Sequence, residues 1–234
     1  MTVPPLPGIG SVTVASSRLT TRVLSTGARH ATPVLFLHGN LSSATWWEST
    51  LLTMPDGYFS LAPDQRGYGA AEPDRVIDAT RGMGDLSDDA IALLDVLGIE
   101  HAVVVGNSMG GSVIWRMIAD HADRITAGVV VDPGSPYGYG ATRGIDGEPT
   151  CDDFAGSGAG LVNPEMVRLL REGERGTESP FTPRNVFRSL IVKSGFISEH
   201  EDAYVEAMLS THIGPHQYPG DAQPSPNWPF TAPG

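Results

Sequence analysis

A strand, a glycine turn and a helix follow one another without interruption near the middle of the chain. The apolar run 102–105 leads into Gly106, Ser108 and Gly110, which have the Gly-x-Ser-x-Gly spacing, and residues 112–120 have a helical pattern. Side chains two positions before and after Ser108 would collide with the neighbouring strand and helix, so this order is typical of a strained turn that exposes a nucleophile. A glycine-rich turn beside a buried strand is the alternative, and the surrounding sequence decides between them.

Composition excludes several classes of function. The chain has 234 residues, 40% of them hydrophobic, a net charge of −12 and one cysteine, Cys151. Nucleic acids and anionic membranes are bound through basic patches, so neither is an expected partner. The sequence has no Cys/His cluster, no phosphate-binding Gly-Lys-Ser/Thr loop and no dinucleotide glycine motif, and we therefore expect no metal and no cofactor.

The same composition bears on location. The N-terminus lacks a basic segment followed by an apolar run, and no stretch approaches the roughly 18 apolar residues that cross a bilayer. A single cysteine excludes an internal disulfide framework and suits a reducing compartment. We therefore expect a cytoplasmic protein.

Apolar runs alternate with a helical pattern in the first 134 residues. Residues 11–26 predict two strands, and further strands are predicted at 33–37, 58–62, 102–105 and 125–131, with a helix at 85–97. Strands and helices that alternate at this spacing predict an α/β fold with a mostly parallel sheet and helices on both faces. Ligand sites in such sheets lie at the carboxyl ends of the strands.

The pattern changes after residue 134. Residues 135–160 are rich in glycine, and three helices are predicted at 164–172, 183–192 and 199–211, each behind a good N-cap residue. Many prolines follow from residue 215 onward and disfavour regular elements. We therefore divide the chain into an α/β core at 1–134 and a region at 135–234 that contains a glycine-rich excursion, a helical cap and a proline-rich tail.

Three motifs in this order resemble the α/β-hydrolase superfamily: His38-Gly39-Asn40, Asp64-Gln65-Arg66-Gly67-Tyr68-Gly69, and Gly106-Asn107-Ser108-Met109-Gly110-Gly111. They are most similar to its cap-bearing bacterial members, among them esterases, lactonases, carbon-carbon bond hydrolases and epoxide hydrolases. The resemblance implies that Ser108 is the nucleophile and that the backbone amides of Asn40 and Met109 form the oxyanion hole. It also implies that His38 is a structural neighbour of the oxyanion loop.

The chain departs from the superfamily pattern after its last predicted core strand. Asp132 follows that strand and is the candidate acid, although a turn residue before proline is the commoner reason for an aspartate there. No histidine follows a later strand, so the base is missing, and with it the C-terminal strands of the fold. We expect a C-terminal segment of the same polypeptide to add strands beside 125–131 and to supply the histidine. A truncated form of the protein or a degenerate member of the superfamily would lack this histidine as well.

The favoured function is that of a serine hydrolase that cleaves a small apolar carboxylic ester or lactone through an acyl-enzyme on Ser108. In the family, dehalogenases and epoxide hydrolases carry aspartate at this position, so serine favours acyl transfer. Trp46, Trp47 and Met109 are candidates for the acyl pocket, or else for the core. A carbon-carbon bond hydrolase of the same fold and a non-catalytic ligand-binding protein remain as alternatives.

Overall fold

The main sheet of the protein has six strands. A computed structural model describes residues 3–136, 142–153 and 162–220, together with 223–224, 226–227 and 231–232. The strands are β1 (Gly10–Ala15), β2 (Thr20–Thr26), β3 (Thr32–Leu37), β4 (Tyr58–Pro63), β5 (Ala102–Asn107) and β6 (Ile125–Val131), in the spatial order β1-β2-β4-β3-β5-β6. β1 and β2 are antiparallel to their neighbours, whereas β4, β3, β5 and β6 run parallel. The predicted α/β fold with a mostly parallel sheet is confirmed.

Helices cover both faces of this sheet. The core helices are α1 (Glu48–Thr53), α2 (Gly84–Val96) and α3 (Met109–His121), and 3-10 turns lie at Ala44–Trp47, Ala79–Arg81 and Ala122–Arg124. Side chains alternate along β3, so Val34 and Phe36 pack with α1 on one face, while Leu35 and Leu37 pack with α2 and α3 on the other. α3 begins three residues before the helix predicted from the sequence, directly after Ser108.

The three predicted cap helices are present, two of them with altered bounds. α4 (Pro164–Glu172) matches its prediction, α5 (Pro183–Val186) continues as a π-helical turn at Phe187–Ile191, and α6 (Glu201–Leu209) begins later than predicted. Pairs of two-residue strands complete the described elements: β7 (Thr142–Arg143) with β8 (Glu148–Pro149), β9 (Ile213–Gly214) with β10 (Tyr218–Pro219), and β11 (Gln223–Pro224) with β12 (Thr231–Ala232). Much of the predicted glycine-rich excursion lies outside the described residues, and the boundary at 134 stays a prediction.

Backbone hydrogen bonds attach the region after α6 to the core loop that follows β4. The N–H of His212 donates to the carbonyl of Gly67 at 2.8 Å, and the N–H of Gly69 donates to the carbonyl of Ser210 at 3.1 Å. On the other side of the cap, the indole N–H of Trp46 donates to the carbonyl of Tyr204 at 3.3 Å. α6 and the residues that follow it are thereby attached to two loops at the carboxyl ends of the strands.

β6 leaves apolar surface uncovered. Val129 and Val131 are 49% and 45% exposed, and they lie on the sheet face that Val105 shares, opposite α3. No strand within the described residues pairs with the outer edge of β6. Unpaired strand edges and contiguous apolar surface favour association with another segment. None of the described helices is both long enough and apolar enough to span a bilayer.

The close approach of α3 to β3 gives a first prediction. A Cβ on Gly110 would lie 2.1 Å from the carbonyl oxygen of Leu37, so Gly110→Ala must displace backbone. We expect it to lower the free energy of unfolding by about 3 kcal/mol, measured by urea denaturation. Gly214→Ala is the control, since a Cβ there meets no atom within 4 Å. Equal stability of the two variants would contradict the packing described.

Candidate active site

Ser108 occupies a strained turn between β5 and α3. Its φ of 52° and ψ of −117° lie where side-chain-bearing residues are rare. A Cβ on Gly106 would come within 2.4 Å of the carbonyl oxygen of Gly110, and one on Gly110 would meet β3. The collisions that the sequence predicted on both sides of Ser108 are thus present, and backbone atoms cause them. The result is a half-buried serine above the carboxyl edge of the sheet.

The loop that follows β3 lies directly against Ser108. A Cβ on Gly39 would be 3.2 Å from the Cβ of Ser108, so the backbone of this loop passes beside the serine side chain. The N–H groups of Asn40 and Met109 have no hydrogen-bond partner among the described residues. Unpaired backbone donors on the two segments that flank a serine are what an oxyanion hole requires. This arrangement is compatible with the predicted roles of Asn40 and Met109.

His38 stabilises the loop that follows β3, which is the predicted oxyanion loop, through a single neutral tautomer. Its Nδ1 lies 2.8 Å from the carbonyl oxygen of Gly39, and its Nε2 accepts the N–H of Gln65 at 3.0 Å. A carbonyl only accepts and an amide only donates, so the proton is on Nδ1. Burial lowers the pKa of His38 from 6.5 to about 4, although its bond to Gly39 opposes the shift. In a trans peptide the N–H of Asn40 points away from the oxygen of Gly39, so the bond from His38 to that oxygen also fixes the direction of the N–H.

Tyr68 contacts both candidate donors, and the sequence reasoning gave it no role. Its hydroxyl is 2.7 Å from Oδ1 of Asn40 and 3.5 Å from Sδ of Met109. Its ring packs edge-on against that of His38, with centroids 5.2 Å apart. The sequence did place Tyr68 in a glycine-rich turn after a strand, which is a position typical of functional residues. The loops that Tyr68 contacts, however, are set by the order of the strands in space, which the sequence does not show.

Asp64 is the buried anchor of the surrounding loops. Its carboxylate forms a two-pronged ion pair with Arg22 of β2, at 2.9 and 3.0 Å, and accepts the N–H groups of Ala44 and Ala70. A Cβ on Gly69 would lie 2.2 Å from the carboxyl carbon of Asp64, which explains the glycine there. Removing either charge would leave the other buried and unpaired, at a cost of about 3 kcal/mol or more.

Asp132 lies at the same edge of the sheet as Ser108. The N–H of Ser108 donates to the carbonyl of Val131 at 3.0 Å, and Asp132 is the next residue, exposed and with a φ of 49°. A Cβ on Gly111 would lie 2.7 Å from Cβ of Pro133, so the Asp-Pro turn packs on the start of α3. No histidine contacts Asp132 among the described residues, and its role as the acid stays a prediction.

No histidine of the described chain hydrogen-bonds to Ser108. His121 pairs with Asp88 at 3.0 Å, His200 lies near Glu199 in the cap, and the ring of His212 faces the carbonyl oxygen of Gly69 at 3.4 Å. The hydroxyl of Ser108 likewise has no partner within these residues. A base that activates a serine must lie within hydrogen-bond reach, so none of these histidines is placed to activate Ser108.

The two predicted tryptophans have different surroundings. Trp47 packs on Phe36 in the core, with centroids 5.1 Å apart, which is the alternative that the sequence left open. Trp46 packs against Phe187 and Tyr204 and lines a groove of about 620 Å³ between the cap and the core. The described residues contain no cluster of three or more potential metal ligands.

The family model for the alpha/beta hydrolase fold matches residues 32–147, which include the oxyanion loop, the Tyr68 loop and the Ser108 turn. The chain belongs to the α/β-hydrolase superfamily. A solved carboxylesterase from Bacillus subtilis has the same fold, with a TM-score of 0.62 over 90% of this chain and 67% of its own, at 16% identity.

Relatives in the superfamily have several activities. Epoxide hydrolase A of Mycobacterium tuberculosis is 39% identical over 45% of this chain and 33% of its own length. A 2-hydroxymuconate semialdehyde hydrolase of Pseudomonas is 32% identical over 60% of this chain and 48% of its own length. The chain therefore spans between a third and a half of the length of these relatives.

The state of His38 gives a second prediction. Because the folded protein keeps His38 neutral down to about pH 4, whereas an unfolded histidine takes up a proton near pH 6.5, its burial destabilises the fold as the pH falls between these values, by about 3 kcal/mol in total. In a ¹⁵N NMR titration we expect Nδ1 to stay protonated and Nε2 unprotonated above pH 5. A ring that titrates near pH 6.5, or a proton on Nε2, would contradict this tautomer.

Proposed function

We propose that this protein is a serine hydrolase that cleaves a carboxylic ester or lactone. Oγ of Ser108 attacks the carbonyl carbon, and its proton passes to a base. The N–H groups of Asn40 and Met109 stabilise the oxyanion, the alcohol leaves with that proton, and water then releases the acid from the acyl-enzyme. The observation that carries the proposal is the strained Ser108 between two unpaired backbone donors.

The chemistry at the Ser108 turn distinguishes this proposal from epoxide hydrolysis, the activity named for the Mycobacterium relative. Epoxide opening at a saturated carbon develops no carbonyl oxyanion, whereas acyl transfer does and uses two aimed amides directly. A serine hydroxyl that attacks a carbonyl gives an acyl-enzyme that water can clear. These features favour an ester or lactone as the substrate.

We further propose that a segment of the same polypeptide completes the sheet beside β6 and carries the base, with Asp132 as the candidate acid. The exposed Val129 and Val131 and the unpaired outer edge of β6 support this. Its strands would pair along the outer edge of β6, and a loop at their carboxyl ends would come within reach of Ser108 and Asp132, which lie at the carboxyl end of the sheet.

Carbon-carbon bond hydrolysis is the second candidate. The Pseudomonas relative is named a 2-hydroxymuconate semialdehyde hydrolase and aligns with 60% of this chain. The same serine and donors serve both reactions, so the substrate assay decides. The consumption of 2-hydroxymuconate semialdehyde is measured by its absorbance. If this compound is consumed and p-nitrophenyl esters are not hydrolysed, carbon-carbon bond hydrolysis replaces the ester proposal.

A phosphonate probe tests the nucleophile. The purified protein, with any polypeptide that co-purifies, is treated with a p-nitrophenyl phosphonate, and Oγ of Ser108 should displace p-nitrophenolate to give a covalent adduct detectable by mass spectrometry. Ser108→Ala should abolish the adduct. Ser112→Ala is the matched control, since Ser112 lies one turn along α3 with a buried, unpartnered hydroxyl, and it should label normally. Folded protein that does not label would indicate a ligand-binding protein instead.

The uncovered β6 surface gives a fourth prediction. In the absence of a completing segment, the 24.8 kDa chain should self-associate, because apolar surface and a strand edge are exposed together. The double variant Val129→Ser, Val131→Ser should reduce association in analytical ultracentrifugation. Val12→Ser is the control, since Val12 is 50% exposed on the opposite edge strand, β1. A monodisperse, cooperatively unfolding monomer would count against the missing segment.

A further inference from the structure

We propose that Tyr68 is a positioning residue that sets the geometry of the two oxyanion donors. The proposal rests on the hydrolytic function proposed above, because it assigns Asn40 and Met109 as those donors. Tyr68 lies on the loop after β4, a third segment that neither donor belongs to. It would act through Asn40 and Met109, without contact to the reacting carbonyl.

The hydrogen bonds of Asn40 fix the direction of its side chain. Oδ1 of Asn40 accepts the N–H of Leu41 at 2.8 Å, and because an amide N–H can only donate, the oxygen of the side-chain amide must face Leu41. The same oxygen is 2.7 Å from the hydroxyl of Tyr68, so Tyr68 is the donor in that bond. Leu41 has a φ of 50°, in the left-handed region, so the backbone turn after Asn40 is strained. The two bonds hold Asn40 at this turn.

The other side of the hydroxyl lies against the second donor residue. The oxygen of Tyr68 is 3.5 Å from Sδ of Met109, whose side chain is buried in the main core. Met109 is the first residue of α3, so its N–H and its side chain move with the start of that helix. One hydroxyl therefore touches both residues whose amides flank Ser108, and it limits how far the two segments can separate.

The ring of Tyr68 is itself held firmly. Tyr68 is 4% exposed and packs edge-on against His38, which in turn holds the carbonyl of Gly39. Its neighbours Gly67 and Gly69 bond to His212 and Ser210 of the cap. A side chain fixed on all sides transmits position well, since interiors are close-packed. Buried tyrosines also serve as simple core filling, and removal of the hydroxyl alone separates these two roles.

The test compares Tyr68→Phe with Tyr58→Phe. Tyr58 begins β4 at the opposite end of the strand and is 38% exposed, so its hydroxyl is a matched control. The rate constant and final extent of phosphonate labelling of Ser108 are measured with thermal unfolding. We expect Tyr68→Phe to slow labelling roughly tenfold, because a displaced donor loses part of the oxyanion stabilisation, with unchanged final extent and melting temperature. Tyr58→Phe should behave as the wild type.

Each outcome decides the proposal. An unchanged labelling rate in Tyr68→Phe would overturn it. A slower rate accompanied by a lower final extent of labelling and a lower melting temperature would also overturn it, because a structural role gives that result. If the wild type itself does not label, the hydrolytic function fails. The backbone amide resonances of Asn40 and Met109 then decide whether Tyr68 positions these residues: both should shift in Tyr68→Phe and neither in Tyr58→Phe, and unmoved resonances would overturn the positioning role.

Discussion

The contact between the start of α3 and the end of β3 is the constraint on which the site depends. Gly110 lies so close to the carbonyl oxygen of Leu37 that a Cβ there would be 2.1 Å away. This approach brings Ser108 beside Gly39 and forces the strained backbone of the serine turn. The strain is maintained by the packing around it, since backbone in sparsely populated regions persists only where its surroundings over-determine it. The position of Ser108 beside the loop that follows β3 therefore depends on this one glycine contact.

A network of buried polar side chains holds the loops around that contact in place. Asp64 connects β2, the 3-10 turn after the oxyanion loop and the loop that carries Tyr68, through Arg22 and two backbone amides. His38 stays neutral and bridges the oxyanion loop to Gln65. Buried networks of ion pairs and hydrogen bonds of this kind stabilise one arrangement of the loops.

Local pattern predicted most of the core and only part of the cap. The strands from β1 to β6 and the turn at Ser108 could be predicted because apolar runs and glycine spacing are local features of the sequence. The start of α3 was missed because its first residues, Met109 to Gly111, lack a helical pattern and are helical through packing. The last cap helix was predicted from residue 199 but begins at Glu201, whose carboxylate binds Arg184 and Arg188. Tyr68 was missed because its contacts join three loops that only the spatial strand order brings together.

The most direct measurement of the central claim is the response of two backbone amides to an oxyanion. Phenylboronic acid, which gives a tetrahedral, negatively charged adduct on a reactive serine, is added to ¹⁵N-labelled protein with any polypeptide that co-purifies. We expect the amide protons of Asn40 and Met109 to move downfield together, because both donate to the adduct oxygen, and we expect Ser108→Ala to abolish the change. An adduct on Ser108 that leaves both amides unmoved would contradict the central claim.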